Sequence, residues 1–424
     1  MFDLPAGQIG WAAGYGYWAQ TYTYNPDSAK VTSAATGSVG AGTAGSLYNN
    51  SVFGELLVPV FDNGAQSIDL KAGVRYDDWN AFDGEATWQL GLEFRVNDSL
   101  KLRATGGTVF RAPTISNLYS GLVDSSPQYS DPCVPGVGQP LPPGCAQVGL
   151  QVDTQVQAKE GGNPDLIPEV GDTFTAGLVW QPEFGESDLS LTVDYWQVAI
   201  EDGISSLGVQ YTLDQCYRNL DQEACAKITR GPLYDVTLIL DGDINVSEQG
   251  ASGIDTEIRW SRDSSFGQWQ ASLLWSHLLE RTRISQPGVP EDDLAGRYTD
   301  PTAQDGGGYA ADKFNYSLQW FNKGMSLGYF GEFIGALDAD STCNCGAGNQ
   351  PDGSYTQAVD SMLYHDLVAS YEFESTGTNI AIGATNLTNE EPPWIDIGFN
   401  ADTDPTIYRV LGRGYYIRLT QTFE

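Results

Sequence analysis

From Ser67 to Asp77 the chain alternates without a break. Ile68, Leu70, Ala72, Val74 and Tyr76 fall on one side of an extended segment, and Asp69, Lys71, Gly73, Arg75 and Asp77 fall on the other. Successive strand side chains point to opposite faces, so the pattern predicts a strand with one apolar and one polar face. Weaker forms of it recur along the chain. They predict strands at Gln8–Tyr24, Ser51–Phe61, Glu85–Val96, Leu100–Arg111, Val170–Gln181 and Leu189–Ile200 in the first half. The second half gives Leu238–Arg262 (one long strand interrupted at Gly250 and Gly253), Gln268–Glu280, Asp312–Phe321, Met325–Ala336, Val359–Phe373, Asn379–Leu387 and Gly414–Phe423. Tight connections such as Asn97-Asp98-Ser99 and Asn322-Lys323-Gly324 read as hairpin turns. Short turns alternate with mostly longer, polar loops.

No stretch approaches the eighteen or so consecutive apolar residues of a helical membrane span. A membrane β-barrel leaves a weaker signal: apolar side chains face lipid, polar ones face the lumen, and short turns alternate with longer external loops. The chain fits that description, and the reading is an all-β, antiparallel transmembrane barrel of about fourteen strands. Parity slips after Tyr195, which predicts a bulge or an exit from the membrane. A soluble, secreted β-sandwich enzyme is disfavoured by the one-sided alternation.

Composition agrees. Gly (49), Tyr (22) and Trp (11) abound while Met is only 3, which suits strands, turns and aromatic girdles. The net charge of −34 excludes a nucleic-acid partner, which would need a basic face. It reads first as solvated loops, and in its sharper form as a rim that attracts cationic ligands or divalent ions. The segment Met1–Gly14 has neither a basic start nor a long apolar run, so it is not an export signal. A barrel without one reads as a mature fragment, a truncated reading frame or one part of a larger chain.

The six cysteines form three close pairs in loop-like sequence: Cys133 with Cys145, Cys216 with Cys225, and Cys343 with Cys345. Local pairing points to disulfides and an oxidising compartment, while zinc ligation lacks both the spacing and a nearby His. A bridge across Cys343-Asn344-Cys345 would strain the intervening backbone. No catalytic constellation is present. His365-Asp366 reads as a polar, lumen-facing pair, and His277 sits near a strand end. Acidic loops around Glu291-Asp292-Asp293, Asp300 with Asp305, and Asp338 with Asp340 offer calcium's hard oxygens, but none has EF-hand spacing.

One region is more specific than its alternation. FRAP (Phe110–Pro113), the Asn117-Leu118-Tyr119 step and GNPDLIPE (Gly162–Glu169) together resemble the barrel of TonB-dependent receptors, the plugged outer-membrane transporters of Gram-negative bacteria. LPAGQIGWAAG (Leu4–Gly14) resembles a mid-barrel strand of that family, and NVSEQGASGIDTEIRW (Asn245–Trp260) another. ATNLTNEEPPW (Ala384–Trp394) resembles the end of its penultimate strand, and DPTIYRVLGRGYYIRLTQTF (Asp404–Phe423) its terminal segment.

The resemblance implies the C-terminal part of a 22-stranded barrel without its plug. It implies outer-membrane location, lipid around the barrel, coupling to the TonB energy-coupling complex, and uptake of a scarce large solute such as a siderophore, glycan or peptide. The plug and earlier strands would be missing partners, and no cofactor is implied. A stand-alone outer-membrane pore or adhesin is the alternative. By position at strand tops and in the long loop, Arg111, Asn117, Tyr119, Asn163 and Asp165 are candidate solute contacts or shapers of the rim. Trp79 and Trp394 are candidate stacking platforms for sugars, or members of an interfacial aromatic belt.

Overall fold

The computed structural model describes residues 3–32, 40–134, 136, 140–284, 288–299, 306–341, 355–398 and 402–423. Its main sheet is an antiparallel meander in which each strand pairs with the next in sequence. In chain order the strands are β1 (Gly10–Tyr24), β2 (Thr43–Asp62), β3 (Ser67–Trp79), β4 (Glu85–Arg95), β5 (Leu100–Arg111), β6 (Glu169–Trp180) and β7 (Ser187–Ser206). They continue with β8 (Asp243–Ser264), β9 (Gly267–Ile284), β10 (Asp312–Asn322), β11 (Met325–Ile334), β12 (Met362–Phe373), β13 (Thr378–Thr385) and β14 (Gly414–Gln421). Among the described residues β1 and β14 do not pair with one another, so the meander is open along two edges.

Register carries the alternation of β3 across the sheet. Leu70 lies between Val58 and Leu92, and Ala72 between Leu56 and Leu90. The same row of cross-strand partners runs on through Ala104 and Ala176 to Tyr195 and Ile254. Two bands of aromatics border this apolar face. Phe94, Trp180, Trp260, Trp269, Trp320 and Tyr371 lie toward the short turns; Tyr76, Trp88, Phe174, Trp275, Phe314 and Phe333 lie toward the long connections. Phe314 and Phe333 stack with ring centroids 4.5 Å apart. Between the bands the side chains are mostly aliphatic or small, with Tyr195, Tyr316, Tyr329 and His365 as the exceptions. Two aromatic girdles around an apolar band match the outer surface of a membrane barrel. In water this face would be a very large exposed apolar patch: Val74 is 60% exposed and Leu90 57%.

The packed apolar cores lie at the long-loop end, not between sheet layers. One is built from the connections 112–168 and 207–242 (Tyr129, Val156, Leu213, Tyr217, Ile239). A second is built from 285–311, 335–361 and 386–413 (Tyr298, Leu337, Ile395, Tyr408) with Tyr364 from the start of β12. The third places the short helix Ile115–Tyr119 against Leu47, Leu166, Trp79 and Phe82. Two small sheets brace the first two: Ile228–Arg230, Val236–Leu240, Ala158–Glu160 and Val123–Ser125 in one, and Gly307–Gly308, Arg297–Thr299, Leu337–Ser341 and Tyr355–Val359 in the other.

Several expected boundaries shift for this reason. The long strand read as Leu238–Arg262 divides: Val236–Leu240 belongs to a loop sheet and β8 begins at Asp243, while Gly250 and Gly253 stay within β8 beside a bulge at Ser252. Val359–Phe373 divides in the same way between Tyr355–Val359 and β12. β2 begins at Thr43, inside a stretch that reads as polar loop. Its small residues make room for the helix above, since a Cβ on Gly45 would come within 2.4 Å of the Tyr119 ring. The bulge expected after Tyr195 falls later: pairing stays regular to Ile200, and the register then shifts between Ile200 and Gly203 and again between Gly203 and Ile204. After Tyr195 the surroundings invert: Gln197 and Ala199 are exposed, while Ile204 packs inward against the loop core.

Candidate functional site

The polar face carries a ladder of charge. Glu93 receives Lys71 closely and Lys101 at 3.9 Å. Arg103, directly opposite Glu93, reaches across Gly177 to Asp194, with Nε to Oδ1 at 2.9 Å and Nη2 to Oδ2 at 2.5 Å. Asp194 stands opposite Asp255, whose carboxylate accepts from the Ser276 hydroxyl. Two like charges directly across a strand pair repel, and here Arg103 and Ser276 take one each. Lys71, Glu93, Arg103, Asp194 and Asp255 line a cleft of about 490 Å³ together with Trp196. A cleft of about 810 Å³ lies nearer the short turns, its polar members being Ser190, Arg259, Ser261, Gln270, Ser272 and Gln319 beside Phe184, Leu189 and Trp260. The arrangement suits a wall of a water-filled passage, holding charge without burying it.

At the long-loop end the same face is covered. Arg111 pairs through two contacts with Glu169, its direct partner across β5 and β6, and Glu169 also accepts the Ile204 amide at 2.8 Å. Thr114 and Asn117 form a reciprocal cap on the helix Ile115–Tyr119. The Asn117 amide donates to Asp243 Oδ2 at 2.9 Å, and the Asn163 amide donates to the Asp243 carbonyl at 3.0 Å. Asn163 Oδ1 accepts the Asp165 amide N–H at 2.9 Å, closing the Asn-Pro-Asp turn. Asn245 ties Ile167 to Asp202. The structure thus gathers Arg111, Asn117, Tyr119, Asn163 and Asp165 into one knot where the crossing loop meets β8. The side chains of Arg111, Asn117 and Asn163 are engaged within the protein, and Tyr119 packs over Gly45.

Trp79 ends β3 on this covered side. It meets Trp18 edge-on at 5.7 Å and Phe82 at 5.4 Å, and its indole nitrogen is buried without a hydrogen-bond partner among the described residues. Trp394 is separate from it, on the connection 386–413 and 63% exposed.

Both expected loop disulfides are formed, Cys133–Cys145 and Cys216–Cys225. They flank a buried ion pair that the sequence does not announce. Arg230 binds both carboxylate oxygens of Asp131, at 2.7 and 2.8 Å, donates to the Tyr217 hydroxyl at 2.7 Å, and lies over the Tyr217 and Tyr234 rings. Burial weakens the Arg230 charge, but Asp131 and Tyr217 more than offset this and hold the guanidinium above its ordinary range. Nearby, burial pushes the Asp241 carboxyl up to about 6 even though it accepts the Gly208 amide. Cys343 and Cys345 lie outside the described residues, as do Asp300 and Asp305.

Asp292, Asp293 and both histidines are tied into local structure, whereas Glu291 is exposed. Asp292 pairs with Arg283 and Arg297, and Asp293 Oδ1 accepts the amides of Arg281 and Ala295. His277 Nδ1 lies 2.8 Å from Asp312. His365 and Asp366 are not a pair, because adjacent strand residues face opposite ways. His365 lies on the apolar face, stacked on Tyr329 with both Tyr316 and Tyr329 hydroxyls at its Nδ1. Asp366 faces inward and, with Glu332, receives Arg409 from the connection 386–413 at 2.7–3.0 Å. Arg409 is half-buried, which opposes its charge, and the two carboxylates keep it firmly protonated. Arg103, Asp194, Arg230 and Arg409 escape motif reading. The first two carry a faint signal as charges on the polar side of an alternating strand.

The family model for the TonB dependent receptor-like β-barrel matches residues 2–387. Two vitamin B12 transporters named BtuB align over short segments. The protein from Vibrio vulnificus is 36% identical over 78 residues (18% of this chain and 13% of that protein), and the one from Photobacterium profundum 36% over 63 residues (14% and 10%). Among solved structures, the siderophore receptor PirA of Acinetobacter baumannii superposes with a TM-score of 0.62 at 13% identity, covering 100% of this chain and 53% of that one. The ferric enterobactin receptor PfeA of Pseudomonas aeruginosa gives 0.63 at 14% identity, with the same coverage. The chain therefore spans about half the length of these structural neighbours. The family is one of outer-membrane receptors and transporters, not enzymes. With most of its length under the family model and the wall topology in place, the chain belongs to the TonB dependent receptor-like β-barrel family.

Proposed function

We propose that the chain forms the C-terminal part of the wall of a receptor in the Gram-negative outer membrane. There it would import a scarce, large solute, such as a siderophore, glycan or peptide, with energy supplied through TonB. The supporting observation is the two-sidedness of the meander. Its apolar face is girdled by aromatics as lipid requires, and its opposite face carries the Lys71–Glu93–Arg103–Asp194 ladder of a wet passage. Loops stapled by two disulfides cover one end of that passage, where a receptor meets its solute.

The plug and remaining strands would come from another part of the assembled receptor. An open edge in hydrocarbon leaves each backbone N–H and C=O unpaired at several kcal/mol apiece, so β1 and β14 need strand partners. The rim knot of Arg111, Asn117, Tyr119, Asn163 and Asp165 would hold the crossing loop in place more than contact solute, with Trp79 as part of its packing. Trp394 is left as the exposed aromatic contact.

The test is to express residues 1–424 behind an export signal, alone and together with the plug and the remaining strands. The proposal expects no heat-modifiable, ion-conducting monomer from the chain alone. It expects solute uptake from the complete receptor that stops when TonB is removed. A conducting monomer from the chain alone would replace this reading with a stand-alone pore.

A further inference from the structure

The connection 386–413 holds a cleft of about 430 Å³ that the rim knot does not use. Glu390, Glu391, Asp402, Trp394 and Thr403 line it. The indole N–H of Trp394 donates to Asp396 Oδ1 at 2.6 Å, and its carbonyl accepts from the Gln357 amide at 3.0 Å. The ring is thereby pinned at its edge while remaining 63% exposed. Thr403 is only 6% exposed, yet its hydroxyl has no hydrogen-bond partner among the described residues. A buried, unsatisfied hydroxyl beside a cleft marks a place where a polar group is wanted.

Charge narrows the choice of guest. Neither basic residue of this connection lines the cleft: Arg409 is bound by Glu332 and Asp366, and the Arg413 guanidinium donates to the Tyr415 hydroxyl at 3.4 Å. Glu390, Glu391 and Asp402 have no ion-pair partner among the described residues. In each of the five connections longer than twenty residues, acids outnumber bases, so the field at this end draws cations inward. A bare metal ion is a poor match, because among the described residues no three acidic, cysteine or histidine side chains converge to hold one. Dispersed carboxylates beside an open indole suit a larger, softer cation, which gains from the ring face as well as from the charge.

We propose that this cleft is a subsite for an organic cation, an ammonium or guanidinium group carried by the imported solute. The proposal rests on the transport reading above and names the chemistry of one end of its solute. A neutral sugar would use the Trp394 face without needing the carboxylates, and calcium would use the carboxylates without needing the ring.

Outer-membrane vesicles carrying the full-length protein test this by equilibrium dialysis against butylguanidinium, methyl glucoside and calcium, with vesicles lacking the protein as the blank. Saturable binding of butylguanidinium is expected. It should weaken about tenfold in Trp394→Ala and in the double variant Glu390→Gln/Glu391→Gln, and stay near the parent value in Trp394→Phe. Retained binding in the phenylalanine variant also shows that the loop keeps its fold. The assignment is overturned by glucoside binding that needs Trp394 alone, by calcium binding that ignores Trp394, or by no saturable excess over the blank. Binding as expected in a protein that moves no solute would overturn the transport reading and leave the subsite standing.

Discussion

Arg103 reaches Asp194 by passing over Gly177, the residue that stands between them in the cross-strand row. A Cβ at Gly177 would sit 2.0 Å from Asp194 Oδ1, so the bridge depends on the missing side chain. The pair is partly solvated, with side chains 48% and 23% exposed, and such bridges contribute about 1 kcal/mol or less. Gly177→Ala must instead displace a carboxylate from a crowded wall, at about 1–3 kcal/mol. The glycine substitution should therefore lower thermal stability more than Asp194→Asn does. Heat-modifiability of the complete receptor carrying each variant checks the order, and the reverse order would show that the ion pair dominates.

The loop disulfides should act on the cap and not on the wall. Replacing Cys216 and Cys225 with serine should loosen the 207–242 connection by about 2–4 kcal/mol. The packed core they staple includes Leu213, Tyr217 and Ala224. Limited proteolysis should then cut between Ser206 and Asp243 while the sheet stays intact. Non-reducing peptide mapping should find Cys133 joined to Cys145 and Cys216 to Cys225; free thiols at these four positions would contradict the account.

Arg230→Met should be more harmful than loss of either disulfide. It would leave Asp131, whose side chain is fully buried, as an uncompensated charge, and breaking one side of a buried pair costs about 3–5 kcal/mol. Replacing both partners by apolar residues of similar size should recover most of that loss. The check is hydrogen exchange in the Val236–Leu240 strand, where the single variant should exchange fastest.

Asp241 gives the cap a pH dependence of definite sign. Its carboxyl ionises near 6 in the folded protein against an ordinary value of 3.8. Above about pH 6 the folded state carries a buried charge that the unfolded loop hydrates freely, so ionisation opposes folding. The penalty is relieved as the pH falls through 6 and is gone below the unfolded value. Asp241→Asn should stabilise the 207–242 connection at pH 7.5, on the order of 2 kcal/mol, with little difference from the parent near pH 4. Amide protection measured across that range checks it. A parent protein that loses protection between pH 7 and 5 while the variant does not would reverse the sign.

How far the sequence could be read depended on what surrounds each side chain. Where lipid-like and water-like faces persist, as along β3, parity alone placed Leu70 and Lys71 on opposite sides, and fourteen strands emerged with nearly correct turns. Where the loops fold over the polar face the code inverts, and so Trp196, Val198 and Ile200 blurred the reading of β7. Thr43–Asn50 looked like a loop because its small residues serve the packing of Tyr119, a partner distant in sequence. The FRAP and GNP motifs marked the rim, but no local signal joins Asn117 to Asp243 or Asp131 to Arg230. Such pairs exist only once distant connections are packed together.

The two-faced wall is the central claim, and alternate labelling along β3 in native outer membranes tests it most directly. Single cysteines are placed at positions 68 to 75 and offered a lipid-confined probe and a water-soluble one. The account predicts that 68, 70, 72 and 74 react with the lipid-confined probe, while 69, 71 and 73 react with the water-soluble probe. It further predicts that Leu70→Arg costs about 2–4 kcal/mol if the site lies near the midplane. Lipid-confined labelling at 69 and 71 but not at 70 and 72, or equal labelling of both sets, would contradict it.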